Sequence, residues 1–249
     1  MGPNQQSSLI TPVAIVIGFG MVALAVYFSG IGSSSNLIPA PGASGASANM
    51  RPVDSTDFVR GNPNAPITIV EYSDYDCAFC QEFHQTMTQI MNEFGASGKV
   101  AWVYRQYPIA ALHPNAPKLS EAALCVGDLV GNDGFWKFSD LLFSSRGINQ
   151  PTNMSNLAEY ATTAGADPRA FTTCLNTGKM TETVNKASAE ALAMGLEGTP
   201  HSILLVGNQQ AVIEGAETYA TVREIINNLV GQLEGKNPTP PTTATSTPN

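Results

Sequence analysis

Cys77-Ala78-Phe79-Cys80 is the stretch whose reading decides the fold, because a C-x-x-C pair stands where a strand-like run gives way to an amphipathic helix. Upstream, Ile67-Thr68-Ile69-Val70-Glu71-Tyr72 is rich in β-branched residues and bounded by Asn62-Pro63-Asn64 and Ser73-Asp74, which predicts a short, largely buried strand. Downstream, Phe79, Cys80, Phe83, Met87, Ile90, Met91 and Phe94 recur at helical spacing, and Gly95 follows them as a stop. The first cysteine therefore falls at a helix N-terminus, where unpaired N–H groups and the macrodipole favour an anion. Cys77 is expected to be the accessible, low-pKa nucleophile and Cys80, one turn on, the buried resolving thiol. A fall of the Cys77 pKa from about 8.5 to about 5 would favour the reduced form at pH 7 by roughly 2.7 kcal/mol. That raises the reduction potential by about 60 mV.

Zinc sites use the same spacing, but they need four ligands, usually as a second close pair. Cys125 and Cys174 are far apart in the chain, and His84, His113 and His201 form no metal-type pair with them. Redox chemistry without a metal or bound cofactor is the expectation.

A chain of 249 residues with 43% hydrophobic content can bury one good core, and a net charge of −8 argues against nucleic acid as a partner. After a short tail over 1–8, the run 9–28 is nearly all apolar, and about 20 such residues match the thickness of a bilayer. A cleaved signal peptide is the rival; the basic n-region is missing and Ala46-Ser47-Ala48 lies far beyond the apolar run, so an uncleaved signal anchor is expected. No Lys or Arg flanks it closely, so sidedness rests on the cysteines. Four of them behind a membrane-targeting segment suit an oxidising compartment, which places the bulk of the chain outside the cytoplasm. The Gly/Ser/Ala/Pro-rich stretch 29–52 reads as a flexible tether, and the Pro/Thr-rich 236–249 as a disordered tail.

Between these lies a domain expected over 53–235. Lys99 to Tyr107 alternates as a second strand, parallel to the first across a right-handed βαβ crossover. From about 115 to 195 the pattern is helical: Glu121 to Val130, a segment capped by Asn132-Asp133, Met154 to Ala164, a short helix capped by Asp167-Pro168 and stopped by Gly178, and Thr181 to Met194. After Gly198-Thr199-Pro200, Ser202 to Val206 and Ala211 to Glu214 form a hairpin about Gly207-Asn208, and Val222 to Leu233 an amphipathic helix.

A βαβ unit carrying C-x-x-C, a helical insertion, then Thr-Pro before a hairpin and a terminal helix resembles the thioredoxin fold in its DsbA-like form. The resemblance covers about Val53 to Glu234, and includes the lead-in Gly61-Asn62-Pro63-Asn64-Ala65-Pro66. It implies an α/β thioredoxin-like fold with an inserted all-helical subdomain, here preceded by one transmembrane helix. It also implies a protein disulfide oxidoreductase. Cys77 is the attacking thiol, Cys80 the resolving thiol, and Thr199-Pro200 the cis-proline platform for an extended substrate, with Phe79 beside it. Glu71, six residues before the nucleophile, matches a buried acidic position of the family, and would exchange a proton with Cys80. An edge-strand carboxylate facing water is the other reading of Glu71. Ala78-Phe79 lacks the proline and histidine that the family often has between its cysteines, so the resemblance implies the chemistry and leaves the potential open.

The expected partners are cysteine-containing unfolded proteins and a quinone-linked membrane re-oxidant of the DsbB or vitamin-K-epoxide-reductase-like type. Family isomerases carry an added dimerisation domain, for which the segment before Asp57 is too short, so a monomeric oxidase is expected. A reductase or isomerase is the alternative, and a tethered peptide-binding or chaperone-like module with a structural C-x-x-C is a different class. Cys125 and Cys174 are expected to form a structural disulfide, with two separate buried thiols as the alternative. His84 is expected on a solvated helix face, and His113 in a turn. His201, next to Pro200, either assists a thiolate or faces away.

Overall fold

The computed structural model describes residues 50–235. The tail over 1–8, the expected membrane-spanning run 9–28, the tether up to residue 49 and the tail 236–249 lie outside the described residues. Within the described residues no helix is long and apolar enough to cross a membrane.

The elements follow in the order β1 (Phe58–Gly61), β2 (Ile67–Ser73), α1 (Ala78–Ile90), β3 (Val100–Gln106), α2 (Ala116–Ser144), α3 (Leu157–Thr163), α4 (Pro168–Asn176), α5 (Thr181–Ala193), β4 (His201–Val206), β5 (Gln209–Glu214) and α6 (Tyr219–Leu233). The strands form one sheet in the order β1-β3-β2-β4-β5, with β2 at its centre. β2 and β3 run parallel across α1, while β4, β5 and β1 are antiparallel to their neighbours. Everything between β3 and β4 is helix and loop, as the insertion predicts.

Strand alternation divides the core between two faces. Ile67, Ile69, Trp102 and Tyr104 face a large cluster with Phe83, Met87 and Ile90 of α1, Phe135 and Phe138 of α2, and Val222 and Ile226 of α6. Val70, Tyr72, Val103 and Ile203 face a smaller cluster closed by Ala191, Met194 and Leu196. Glu71 shares the parity of Ile67 and Ile69, so it points to the first face, toward α1.

Several elements differ from the sequence expectation. β1 was not predicted: it is a four-residue edge strand, too short to show a period. Asn132, expected to cap a helix, instead holds this strand, accepting the Val59 N–H at 2.8 Å and donating to the Val59 carbonyl at 2.9 Å. The Phe58 ring stacks on Phe135 with centroids 4.0 Å apart and lies against Gly127, where a side chain would collide with it. α2 begins earlier than predicted, while its break at Gly131, whose φ of 78° and ψ of −165° leave the helical region, falls between the two segments expected there. α1 continues through one π-helical turn, Met91–Gly95. The last residues of the expected tether belong to the domain: Met50 packs on the second cluster, and the Arg51 N–H donates to Glu190 while its guanidinium pairs with Asp57. Buried Arg105 holds the same two carboxylates, at 3.0 Å to Asp57 and 2.9 Å to Glu190.

Cys125 of α2 and Cys174 of α4 are disulfide-bonded across a sequence separation of 49, which staples the helical insertion.

Candidate active site

The turn from β2 into α1 is built from buried carboxylates. Asp74 accepts the Asp76 N–H through one oxygen, and the Ile109 N–H and His113 Nδ1 through the other. Asp76 accepts both the N–H and the hydroxyl of Thr152. These bonds clamp the turn to the loops after β3 and α2. Cys77 is the N-cap residue of α1, with extended φ and ψ of −71° and 129° and no side-chain cap, so the positive end of the helix is left to its sulfur.

The two thiols are free and sharply unequal. Cys77, expected to be accessible, is itself buried at 5% exposed, because the Thr199 carbonyl lies against its sulfur, and Cys80 is fully buried. The hydrogen bond from the Cys80 thiol, aided by the Cys80 N–H and by Thr199, pulls the Cys77 thiol down to about 6 against burial and the nearby Asp74 charge. Burial, then the neighbouring Cys77, pushes Cys80 well above the usual thiol range. The Cys77 thiol donates to the Thr199 carbonyl at 3.5 Å. A thiolate cannot make that bond. The nearby Thr199 hydroxyl, whose buried oxygen has no hydrogen-bond partner among the described residues, is the donor that favours the thiolate instead. The Thr199–Pro200 peptide is cis, as expected.

Glu71 is fully buried on the central strand, so it is no water-facing edge carboxylate. Burial raises its pKa to about 7 against the nearby Ser73 hydroxyl and the hydrogen bond from Trp102. Its charge acts on Cys80, and the Cys77 charge acts on it.

Beside Cys77 opens a cleft of about 680 Å³, walled by Phe79, Ile109, Leu112, His113, Pro151 and Thr199 among others. Phe79 is 64% exposed between the two cysteines. His201 lines an adjoining cleft with Glu214, which shares Glu197, Gly198 and Thr199 with the one beside Cys77. Burial lowers its pKa, and no hydrogen bond joins it to either sulfur.

A thioredoxin family model matches residues 54–228. The chain belongs to the thioredoxin family. Its fold is similar to the crystal structures of Wolbachia pipientis alpha-DsbA1, with a TM-score of 0.62, 19% identity and 80% of this chain and 96% of that one covered. It is also similar to oxidised BdbD from Bacillus subtilis, with a TM-score of 0.61, 22% identity and 70% and 93% covered. At these identities the likeness establishes a shared DsbA-like fold. Among curated sequences, the Na(+)/H(+) antiporter NhaA 1 of Mycolicibacterium gilvum is 32% identical over 157 residues, which is 61% of this chain and 24% of that protein. The corresponding antiporter of Salinispora arenicola is 34% identical over 111 residues, 44% of this chain and 16% of that protein. The chain thus spans a quarter or less of the length of these curated relatives.

Residues that sequence reasoning missed complete the site of this thioredoxin-family chain. Arg146, in the loop after α2, donates to the Cys77 carbonyl at 2.7 Å, and the charges of Asp76, both cysteines and Asp74 act on it. Gln81 ties α1 to the same loop through the carbonyls of Phe143 and Arg146. Nothing local marks Arg146. Asp74 and Asp76 stand close before the first cysteine, but Asp74 was read only as part of a strand boundary and Asp76 was not singled out. His113 sits in a turn as expected, held by Asp74. The expectation for His84 is corrected: it is buried, because α2 covers that side of α1, and its Nε2 meets Asp140 at 2.7 Å.

Proposed function

We propose that the chain is an extracytoplasmic thiol-disulfide oxidoreductase that donates its Cys77–Cys80 disulfide to cysteine-containing unfolded proteins. The observation that carries this reading is the inequality of the two thiols: one at a helix N-terminus with its pKa lowered to about 6, the other buried and raised. A low-pKa thiol is a good leaving group, so the mixed disulfide on Cys77 passes readily to a second substrate thiol. In that sequence a substrate thiolate attacks Cys77, Cys80 leaves and is protonated, and a second substrate thiolate attacks the substrate sulfur. Cys77 is released as thiolate, two electrons having entered the enzyme. The cleft beside Cys77, rimmed by exposed Phe79 and Leu112, offers an apolar bed for an extended segment, and the Thr199-Pro200 loop a backbone edge to pair with it.

A pKa of about 6 favours the reduced form at pH 7 by about 1.4 kcal/mol over an ordinary thiol, which raises the potential by about 30 mV, half the shift expected from the sequence. The Cys125–Cys174 bridge supports an oxidising compartment. A membrane anchor over 9–28 and re-oxidation by a quinone-linked membrane protein complete the proposal, with the domain acting as a monomer. The test is transfer from the oxidised chain to a reduced, unfolded protein. Stoichiometric loss of substrate thiols is expected, with none for Cys77→Ser; full turnover by that variant contradicts the reading.

A further inference from the structure

We propose that Trp102 is a positioning residue for the Cys80 half-reaction: its indole N–H fixes one oxygen of Glu71, so that the other oxygen is the atom exchanging a proton with the Cys80 thiol. The inference rests on the disulfide exchange assigned above to Cys77 and Cys80.

Trp102 lies on β3 opposite Ile69, two positions along from Tyr104, the partner of Glu71. Side chains on one sheet face reach each other diagonally across this offset. Trp102 Nε1 donates to Glu71 Oε2 at 2.8 Å, and both residues are fully buried. Three neighbours hold the ring in place. His84 lies at a centroid distance of 5.0 Å, Trp136 at 4.7 Å, and the Arg60 guanidinium 5.4 Å over the ring. His84 and Arg60 are themselves fixed on a shared Asp140 carboxylate, each through its own oxygen, at 2.7 and 2.8 Å. The indole is therefore aimed, and Oε2 is committed to it.

Glu71 Oε1, by contrast, is buried with no hydrogen-bond partner among the described residues. The groups acting on this carboxyl are Ser73, Trp102 and Cys77, and its own charge acts on Cys80, Tyr75 and Tyr104. Burial raises both tyrosines, so neither ionises where Glu71 does. The Ser73 hydroxyl also lies near Glu71, Cys80 and Tyr104, but it is buried with no hydrogen-bond partner among the described residues, and a hydroxyl can turn between neighbours. An indole can only donate. Trp102 thus stabilises the carboxylate without ever carrying the proton.

In disulfide donation the substrate thiolate bonds to the Cys77 sulfur, the Cys77–Cys80 bond breaks, and its electron pair goes to Cys80. The proton on Glu71 Oε1 passes to Cys80, leaving a carboxylate held on the indole N–H. Re-oxidation reverses each step, with Oε1 taking the Cys80 proton as that sulfur attacks Cys77.

The chain has two tryptophans, so Trp136→Phe leaves Trp102 as its sole indole. In this variant of the reduced chain, Trp102 emission is expected to change with pH in one transition centred near 7, and to lose that transition when Glu71→Gln is added. Emission with no transition near 7, or a transition near 7 that survives Glu71→Gln, overturns the proposal. In Trp102→Phe, the pH midpoint for resolution of a mixed disulfide on Cys77 is expected to rise by about one unit, because a hydrogen bond to the charged form is lost. An unchanged midpoint also overturns it. Should Trp102→Phe fail to fold, the emission titration decides alone. The titration together with no disulfide transfer upholds the Trp102–Glu71 contact and overturns the reaction assigned to the cysteines.

Discussion

The sulfur of Cys77 stands 3.5 Å from the carbonyl oxygen of Thr199, the residue that precedes the cis proline. Nucleophile and substrate platform are thereby joined, although 122 positions separate them in the chain. Thr199→Val keeps the β-branched shape and removes the hydroxyl that serves the thiolate. The Cys77 pKa is expected to rise from about 6 by about one unit, read from thiolate ultraviolet absorbance against pH. An unchanged titration contradicts the role given to the hydroxyl.

The disulfide in the helical insertion acts on stability. Replacing Cys125 and Cys174 with alanine is expected to cost at most about 4 kcal/mol in urea denaturation, since a loop of that length is no longer closed in the unfolded chain. The Cys77 titration is expected to be unchanged. A variant of parental stability contradicts the assignment.

Glu71 makes stability depend on pH. Its ordinary value of 4.5 is raised by burial to about 7, so below about 4.5 the group is neutral in both states and costs nothing. Between about 4.5 and 7 the unfolded chain gives up this proton and the folded protein keeps it, so stability falls by up to about 3 kcal/mol and levels off above 7, where the folded protein holds a buried charge. Glu71→Gln removes this dependence. The reduced variant is expected to be the more stable protein at pH 8 and to match the parent closely at pH 4, each compared by urea denaturation. An equal difference at both pH values contradicts the raised value.

Asn132 holds β1 by two hydrogen bonds to Val59. Asn132→Ala is expected to cost about 1–3 kcal/mol and to speed amide exchange across Phe58–Gly61, with the active-site titration unaffected. Parental exchange rates there would show that pairing with β3 and the Phe58 ring hold the strand without Asn132.

The elements that carry their own period and punctuation were legible in the sequence. β2, α1 and β3 show theirs, and α4 announces itself by Asp167-Pro168, where Asp167 accepts from the N–H groups of Arg169 and Ala170. What was not legible depends on partners distant in the chain. β1 exists because Asn132 and Phe135 receive it, and His84 is buried because α2 crosses α1. Arg51 belongs to the domain because Asp57 and Glu190 await it. In the site, Cys77, Cys80 and Thr199-Pro200 could be placed from spacing and resemblance. Arg146 and Trp102 could not, since only the folded chain brings one to the Cys77 carbonyl and the other to Glu71.

The central claim is that the chain donates disulfides, and the most direct test is the reduction potential of the Cys77–Cys80 pair, equilibrated against glutathione. The account predicts a value above about −180 mV, in the range of proteins that oxidise others. A value near about −270 mV, that of thioredoxin-like reductants, would contradict it.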